Sequence, residues 1–537
     1  MRARYSPLTT GSSPSSGPTT GKSGPSALSQ WKADVPSLVL LATLGAWLGF
    51  ANPLLHLPPA ILAFPLGLAW IGLRATSGRR AFKTGWLAGT LAATGCFYWM
   101  VIPVQIYGGL PWYIALPCPA LLAAVMAVYY GLFSLAMHHA GRFVNGIPLC
   151  LMAGLTWASL EMLSGVVLSG FPWMNLAAAL APWPFAIQGA AIVGAYGLSG
   201  LLAALAVAWL LCSTYRSALI LAVGLTLGLT GFGLHRVTTH EAGTAEFMVS
   251  MVQGNVDQSH KWEPDLQMET IEQYAALTRQ TIDNDAPALV VWPETAMPFY
   301  LQEPGPLSDA VHSLVRETRT PIVTGSPAYR VTDMARGSYV LYNRAWLVDD
   351  AGRLLGSYDK EHLVPFGEYM PLKEWMPFEK LVQAVGDFVP GAENRPLRVD
   401  TVALGVLICY EGIFPELAQK QVDRGATALI NLSNDAWFGD TSAPRQHLNL
   451  TVLRAVEQGR WLIRCTNTGI SAFIDPVGRI AARGTQFEAE TLSHSIAPEE
   501  GTTLFHKAYP WIGPAIYGLT FLSFVLVGLC ARNKRKG

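Results

Sequence analysis

Three side chains in this chain have the chemistry of an assembled nucleophile, and each of them ends a strand-like run of apolar residues. Cys409 follows the run 402–408, Glu294 closes the run 287–293, and Lys360 ends a third run. A thiol has a pKa of about 8.5 and needs a base and a charge-stabilising neighbour to attack a carbonyl at neutral pH. Glu294 can act as general base, while the Lys360 ammonium and the Tyr410 amide can stabilise an oxyanion. The three residues predict acyl transfer through a thioester on Cys409.

These residues need a scaffold, and the stretch from about 244 to 500 has the pattern of an α/β layered domain. Short β-rich runs alternate there with amphipathic helical runs. Three of the predicted strands end at the candidate residues. Pro293 cannot continue a sheet interior, and polar residues follow Lys360 and Cys409, so each strand stops there. We predict strands at 247–253, 288–292, 321–325, 338–348, 354–358, 401–408, 428–432 and 462–474, and helices at 265–282, 307–319 and 446–460.

The residues before 240 indicate a membrane domain. The chain has 537 residues and only 14% charged residues, and between Val35 and His240 the one acidic residue is Glu161. Apolar stretches of roughly 20 residues, the length a helix needs to cross a bilayer, recur through this block. We predict seven such spans near 36–53, 55–74, 85–104, 113–137, 146–165, 187–213 and 217–235, and an eighth near 510–530.

The positions of lysine and arginine predict the orientation of these spans, because such residues mark cytoplasmic loops. Basic residues precede the first span, lie between the second and third, fourth and fifth, and sixth and seventh spans, and follow the last span; the other loops, such as 103–112 and 164–184, carry none. Both termini are therefore expected in the cytoplasm, with the α/β domain on the outer side.

The chain is accordingly divided into five parts. They are a disordered, Ser/Pro-rich cytoplasmic tail (1–34), a membrane domain of about seven helices (35–240), an outer catalytic domain (244–500), a C-terminal transmembrane helix (508–531) and a basic cytoplasmic tail (532–537). Only Cys409 and Cys465 of the seven cysteines fall in the outer domain. A disulfide would abolish a nucleophile, so we expect a free Cys409 and a buried Cys465.

Longer strings around the three candidates resemble a known family. Glu294, Lys360 and Cys409 match the Glu-Lys-Cys triad of the nitrilase superfamily. The surrounding strings resemble its membrane branch, the apolipoprotein N-acyltransferases: Val252-Gln-Gly-Asn255, Trp292-Pro-Glu-Thr295, Tyr358-x-Lys-x-His-Leu-Val-Pro-Phe-Gly-Glu368, Cys409-Tyr-Glu411 and Asn431-x-Ser-Asn-Asp-x-Trp-Phe-Gly439. The resemblance implies a nitrilase-like α-β-β-α sandwich beside a bundle of about eight transmembrane helices.

The resemblance also implies an activity and its site. An acyl chain would move from a phospholipid to the cysteine, and then to the α-amino group of the diacylglyceryl-cysteine of an apolipoprotein, at the outer face of the bacterial inner membrane. Glu368, Tyr410 and Glu411 would support the site, and Trp262 would be a gating or lining aromatic residue. We expect no cofactor, metal or nucleic-acid partner, because the sequence has no zinc-ligand spacing, phosphate loop or basic aromatic patch.

Two features outside the triad lead to further hypotheses. The segment 362–390 is long and aromatic and includes Trp375 and Phe378, so it is either a lid that admits acyl chains or a loop packed on the protein. Glu161 lies near the outer end of its predicted span, where reaching the interface is the simplest interpretation. His138 and His139 are expected at an interface too.

Two other functions remain open on these residues. A membrane-tethered nitrilase-like amidase or hydrolase would use the same triad, with water resolving the thioester; the flanking spans argue against it, because a small soluble amide needs no bilayer. A channel or transporter with a regulatory outer domain is disfavoured, because the spans carry almost no polar relay residues.

Overall fold

The computed structural model describes residues 27–241, 243, 246–258, 261–370, 387–392 and 394–536, and it consists of a helical part and a β-rich part. The helical part contains α1 (Ala27–Gly49), α2 (Ala63–Arg74), α3 (Gly78–Cys96), α4 (Trp112–Ala115), α5 (Cys118–Ala140), α6 (Gly146–Ser164), α7 (Leu176–Ala179), α8 (Pro184–Ile187), α9 (Ala190–Leu211), α10 (Arg216–Thr239) and, from the end of the chain, α15 (Leu504–Lys536). The β-rich part contributes α11 (Gln267–Asp285), α12 (Pro306–Thr318), α13 (Pro415–Asp423) and α14 (Ala443–Gln458).

Five helical segments of the described chain are long and apolar enough to cross a membrane, and a sixth qualifies if one bent pair is counted as a span. The five are Trp112–Ala140, Gly146–Ser164, Ala190–Leu211, Arg216–Thr239 and Leu504–Asn533. The bent pair, Gly78–Cys96 and Tyr98–Tyr107, turns by 59°, and the apolar helices Ala33–Gly49 and Pro58–Arg74 are shorter. The helices therefore do not establish the predicted count of eight crossings.

Large apolar side chains cover the outside of these helices. Only 17% of the most apolar window of α10 and 6% of that of α15 is buried within the protein. Ile220 and Phe521 are among the side chains left exposed on these two helices. Apolar surface of this extent is typical of helices that face lipid, which supports the predicted membrane domain.

The predicted tail boundaries require two corrections. Helix α1 begins at Ala27, so residues 27–34 are helical and do not belong to a disordered tail that ends at 34. Helix α15 runs from Leu504 to Lys536, so the predicted C-terminal helix is longer at both ends and most of the basic tail at 532–537 is helical. Basic residues have good helix propensity, and polarity alone does not end a helix.

Two six-stranded sheets form the centre of the β-rich part. One has the order β12-β1-β2-β3-β4-β5 and the other β11-β10-β9-β8-β7-β6. The strands are β1 (Phe247–Gln253), β2 (Leu289–Val291), β3 (Ile322–Asp333), β4 (Ser338–Val348), β5 (Leu354–Asp359), β6 (Leu397–Val399), β7 (Val402–Ile408), β8 (Ala428–Ser433), β9 (Leu462–Thr466), β10 (Ala472–Ile474), β11 (Ile480–Arg483) and β12 (Glu490–Ile496).

The sheets pack face to face, because alternate residues of their strands point into one apolar layer. Val249 and Met251 of β1 meet Val406 and Ile430 of the second sheet in this layer. On the outer face of the first sheet, α11 and α12 bury a second cluster, and α13 and α14 cover the outer face of the second sheet. The order of layers is α-β-β-α, as in the nitrilase-like sandwich that the motifs implied.

Each predicted strand corresponds to an observed one, although the long run 462–474 is two strands, β9 and β10. A turn that includes Gly469, with φ of +97°, separates them. Strands β6, β11 and β12 and helix α13 were not predicted. Strand β12 pairs in antiparallel register with β1, more than 230 residues earlier in the chain, and its half-exposed residues lack an apolar pattern. Tertiary pairing therefore determines this strand.

Candidate active site

Cys409 lies at a sharp strand-to-helix elbow. Strand β7 is buried along its whole length and ends at Ile408, and a short 3₁₀ helix runs from Cys409 to Ile413. The φ of Cys409 is +52°, a left-handed conformation that non-glycine residues adopt at a cost of about 1–3 kcal/mol. Strain of this kind is common at functional sites, and here it displays the side chain at the end of the sheet. Cys409 is free, and Cys465 is fully buried, as predicted.

Glu294 follows β2, in the segment that the buried Trp292 anchors in the core. The amide Nδ2 of Asn343, in β4, donates to Glu294 Oε1 at 2.8 Å and to Glu368 Oε1 at 2.8 Å. The Glu294 carboxylate is also close enough for its charge to raise the pKa of the Cys409 thiol. Asn343 therefore holds two carboxylates side by side, and one of them interacts with the thiol through its charge.

Lys360 follows β5 and completes the group. Its ammonium Nζ lies 3.5 Å from Glu294 Oε1 and 2.9 Å from Glu368 Oε2, and its side chain is 1% exposed. The backbone amide of Lys360 donates to the carbonyl of Asn343 at 2.9 Å, which fixes the start of the loop. The structure thus brings together Glu294, Lys360 and Cys409 and adds Glu368 as a second partner of the lysine.

Burial and mutual charge determine the protonation of this group. Burial raises the pKa of the Cys409 thiol, and the nearby Glu294 charge raises it further, so the resting thiol keeps its proton. Burial also raises the pKa of Glu294 against the opposing effect of Lys360. Burial alone would lower the pKa of Lys360, but the Glu368 and Glu294 carboxylates outweigh it and raise that pKa. The site therefore contains a neutral thiol, a carboxylate with raised basicity and a permanent cation.

Glu411 connects the elbow to the loop that carries Lys360. Its Oε1 accepts hydrogen bonds from the backbone amides of Glu361 at 2.7 Å and His362 at 3.0 Å. Its Oε2 accepts from the amide of Ile408 at 2.7 Å and from the hydroxyl of Tyr358 at 3.0 Å. The carboxylate is fully buried, and none of these four hydrogen bonds involves the Cys409 thiol. Its role in the structure is to hold two segments in register.

Tyr410 and Trp262 occupy different edges of the site. The Tyr410 hydroxyl donates to the carbonyl of Gly170 at 2.8 Å, and its ring stacks on Phe171, so this residue joins the elbow to the helical part. Trp262 is half-buried and lines an open cleft together with Tyr300 and Phe388. Trp375 and Phe378, the predicted lid residues, lie outside the described residues, so the lid hypothesis stays a prediction.

Sequence reasoning missed two residues that contact the triad. Asn343 is a buried amide in the middle of β4, and a polar residue at a strand position that faces the interior is the signal that could have identified it. Lys261 is buried too; burial lowers its pKa to about 8, and its Nζ lies 3.5 Å from the backbone carbonyl of Glu294. No sequence pattern distinguishes Lys261 from the other lysines of the chain.

One prediction about the membrane part is wrong. Glu161 does not reach an interface: it is buried, and it accepts hydrogen bonds from Trp157 Nε1 at 2.7 Å, Asn175 Nδ2 at 2.6 Å and the amide of Leu176 at 3.0 Å. His138 is buried, with Nδ1 3.2 Å from the Gly72 carbonyl, and its neighbour His139 is exposed, so the interfacial position of the pair stays a prediction. Within the part of the chain that the structure describes, no group of three or more His, Cys, Asp or Glu side chains could hold a metal ion.

Comparison with known proteins covers both parts of the chain. Residues 248–504 match the carbon-nitrogen hydrolase family, and residues 42–208 match the apolipoprotein N-acyltransferase N-terminal domain. An apolipoprotein N-acyltransferase from Geobacter metallireducens is 37% identical over 484 residues, which is 88% of this chain and 90% of that protein. Proteins of the same name are 35% identical in Allorhizobium ampelinum, covering 78% of this chain and 81% of that protein, and 32% identical in Pseudomonas aeruginosa (strain LESB58), covering 93% and 98%.

Proposed function

Because this chain belongs to the apolipoprotein N-acyltransferase family, we propose that it acylates lipoproteins by a two-step transfer in which Cys409 is the nucleophile. Family membership makes the chain a lipoprotein N-acyltransferase with lipid substrates in a membrane. The proposal adds the donor, a phospholipid; the acceptor, the α-amino group of the diacylglyceryl-cysteine of an apolipoprotein; and the roles of the site residues.

In the first step, Glu294 takes the proton of the Cys409 thiol while the sulfur attacks the ester carbonyl of the phospholipid. The resulting oxyanion lies near the Lys360 ammonium and the Tyr410 amide, which stabilise it. The intermediate collapses when the carbon–oxygen bond to the glycerol breaks, and Glu294 returns its proton to that oxygen. A lysophospholipid leaves, and the acyl chain remains as a thioester on Cys409.

In the second step, the amine of the apolipoprotein attacks the thioester carbonyl, and Glu294 accepts a proton from the attacking nitrogen. Collapse breaks the carbon–sulfur bond, forms the amide and restores the thiol as the proton passes to sulfur. Glu368 and Asn343 keep Glu294 and Lys360 in place through both steps. Glu411 supports the elbow, and Trp262 lines the approach to the site.

The proposal depends on one observation: a buried ammonium is shared by two carboxylates, and the charge of one of these carboxylates acts on a free thiol at a strained elbow. A hydrolase could use the same arrangement, but the relatives that cover most of this chain are acyltransferases. We also propose that the enzyme resides in the bacterial inner membrane, with residues 244–500 facing the periplasm and both termini in the cytoplasm. The alternation of basic loops supports this orientation.

The test is an intact-mass measurement of purified full-length protein incubated with phospholipid vesicles. Wild type is expected to gain the mass of one acyl group and to lose it when a diacylated lipopeptide is added. Cys409→Ala should gain none, and Glu294→Gln and Lys360→Ala should form the adduct at least about 100-fold more slowly, as expected for loss of a base or an oxyanion partner. Glu317→Gln, at an exposed ion pair far from the site, is the matched control. Absence of an adduct on wild type, or its release by water as fast as by lipopeptide, would contradict the proposal.

A further inference from the structure

Two buried side chains contact the carbonyl oxygen of Cys409. His447 Nε2, from α14, lies 3.2 Å from this oxygen, and Asn431 Nδ2, from β8, donates to it at 3.2 Å. His447 and Asn431 are 1% and 0% exposed. Neither contacts the thiol, so the contacts concern only the backbone of the nucleophile.

One guanidinium orients both donors. Arg464 Nη1 donates to Asn431 Oδ1, which turns the Asn431 amino group toward the Cys409 carbonyl. Arg464 Nη2 donates to Asp435 Oδ2 at 2.6 Å and lies 3.1 Å from His447 Nδ1. Asp435 Oδ1 accepts from the Ser433 hydroxyl at 2.9 Å. The five side chains form a closed network without solvent access, and such networks restrict each member to one orientation.

The same network selects the proton position on His447. Burial, followed by the charge of Arg464, lowers the pKa of His447, so the ring is neutral at neutral pH despite the opposing effect of Asp435. A neutral imidazole carries its proton on one nitrogen only. Nδ1 lies 3.1 Å from both Arg464 Nη2 and Asp435 Oδ1, whereas Nε2 faces the Cys409 carbonyl, which can only accept. The proton of the neutral ring therefore lies on Nε2, and Nε2–H donates to that carbonyl.

The orientation of this carbonyl determines where the next amide points. The carbonyl of Cys409 and the N–H of Tyr410 belong to one planar trans peptide group, so they point in opposite directions. Tyr410 is in the first turn of the short helix Cys409–Ile413, and N–H groups of a first turn have no acceptor within their own helix. Because the Cys409 oxygen points toward His447 and Asn431, the Tyr410 N–H points away from them. In the proposed mechanism, the oxyanion of the tetrahedral intermediate forms on that side of the elbow.

We propose that His447, oriented by Arg464 and Asp435, is the positioning residue of the oxyanion hole: with Asn431 it holds the Cys409 carbonyl and thereby aims the Tyr410 amide at the substrate. The inference rests on the proposed function, because an oxyanion hole is needed only if Cys409 attacks a carbonyl. Hydrogen bonds to the carbonyl also polarise the peptide group and strengthen its N–H as a donor.

The experiment compares two reactions of the same thiol in full-length protein. Acylation by phospholipid, followed by intact mass in a single turnover, requires an oxyanion. Alkylation of Cys409 by iodoacetamide, followed by peptide mass spectrometry, proceeds at a saturated carbon and requires none. The variants are His447→Leu, which removes the donor, and His447→Gln, whose amide can still donate at the position of Nε2. Leu448→Ala, the buried neighbour on α14, is the control for lost packing.

His447→Leu is expected to slow acylation by about 10- to 100-fold, less than removal of an oxyanion donor itself, while alkylation of Cys409 stays within about twofold of wild type. His447→Gln should recover acylation to within about fivefold, and Leu448→Ala should lower thermal stability without separating the two rates. Acylation at the wild-type rate in His447→Leu, or a parallel fall of both reactions, would overturn the inference. If the Gln variant is as slow as the Leu variant, the inference is also wrong. A wild type that alkylates but never acylates would instead contradict the proposed function.

Discussion

In the proposed mechanism, proton transfer, and not a preformed thiolate, activates the nucleophile. The pKa of the Cys409 thiol is raised by burial and by the charge of Glu294, the carboxylate that the proposal makes the base. Lys360 contacts two carboxylates, so the ammonium keeps its charge while Glu294 changes protonation. The proposal therefore assigns the roles of base and oxyanion partner to two different residues, whose charged groups lie 3.5 Å apart.

The pH dependence of acylation tests this assignment. Glu294 must be ionised to accept the thiol proton, and its pKa is raised, so the rate should fall as pH decreases through a value above the 4.3 or so of an ordinary glutamate. The raised pKa of Lys360 predicts that the rate stays constant on the alkaline side, to about pH 10. The measurement is the single-turnover acylation rate between about pH 4 and pH 10.

Glu368→Gln provides the matched comparison for this profile. The negative charge of Glu368 raises the pKa of Glu294, so its removal should move the acid limb to lower pH, whatever the residual rate. An acid limb that moves to higher pH, or one that is absent in wild type, would show that Glu294 is not the group that titrates.

At the scale of elements, the site depends on one close approach between β3 and the segment after β2. A Cβ on Gly325 of β3 would lie 2.5 Å from the Thr295 amide nitrogen and 2.8 Å from Glu294 Cα. The amide of Gly325 donates to the Pro293 carbonyl at 3.2 Å, so the two segments are directly bonded. Only glycine permits this spacing, and the spacing places Glu294 at the end of the sheet.

Gly325→Ala should therefore push the backbone of Glu294 away and displace its carboxylate without changing that side chain. We expect the rate of acyl-enzyme formation to fall by at least about tenfold, because misplacement of a catalytic group by an ångström costs up to 100-fold. Gly501→Ala, where nothing lies within 4 Å of an added Cβ, is the control. An alanine variant with wild-type kinetics would show that this approach has no part in placing the base.

Helix α14 is the element that joins the catalytic layers to the helical part. Gln446 accepts hydrogen bonds at Oε1 from the indoles of Trp99 at 3.2 Å and Trp173 at 2.7 Å, and its Nε2 donates to the carbonyls of Ala51 at 2.9 Å and Cys96 at 3.3 Å. The next residue along the helix, His447, contacts the nucleophile elbow. One helix turn therefore connects the helical part with the backbone of the nucleophile.

Gln446→Leu should destabilise the junction between the two parts. The substitution leaves two buried indole N–H groups and two carbonyls without this partner, and each unpaired buried group costs about 1–3 kcal/mol. We expect a clear fall in the thermal unfolding midpoint of the detergent-purified protein. Gln273→Leu, which loses one hydrogen bond to the Gly254 carbonyl within the catalytic part, should change the midpoint much less. Equal midpoints for the two variants would contradict this role of Gln446.

At the scale of the whole molecule, the elbow is built from both parts of the chain. Tyr410 bonds to Gly170, and the ring of Trp173 packs against that of His447 with centroids 5.6 Å apart. The apolar layer outside α13 and α14 is continuous with the core of the helical part. A catalytic part folded without the membrane helices would lose these contacts, which is a physical reason for a thiol site of this kind to lie at a bilayer.

The proposed orientation can be measured by cysteine labelling in a background without reactive native cysteines. Met334 is 90% exposed and lies on the turn between β3 and β4, so Met334→Cys should react with a membrane-impermeant maleimide in cells whose outer membrane is permeabilised. Arg79→Cys, in the first turn of α3, should react only after the inner membrane is disrupted. The reverse pattern would place the catalytic part in the cytoplasm and exclude the proposed arrangement.

The sequence by itself determined the features that local patterns encode. Short apolar, β-rich runs identified the strands that carry Glu294, Lys360 and Cys409, because a buried strand must be apolar and must end where polar residues begin. Charge segregation separated a lipid-facing block from a water-facing block, since a charged side chain within a bilayer is costly. The candidate triad, the layered fold and the membrane part followed from these patterns and from the family resemblance.

Tertiary structure alone decided which polar groups are partners. Asn343 and His447 contact the triad from separate elements, and Arg464 contacts His447 from a third. Glu161 accepts from Trp157 of its own helix and from Asn175 and Leu176 beyond it, so it is buried where an isolated helix would place it at an interface. The free energy of burying a polar group depends on partners that are distant in sequence, and no local pattern records them. For the same reason, residue types were enough to predict the nucleophile but not the orientation of its peptide group. That orientation depends on contacts with side chains of β8 and α14 and on packing against the membrane helices.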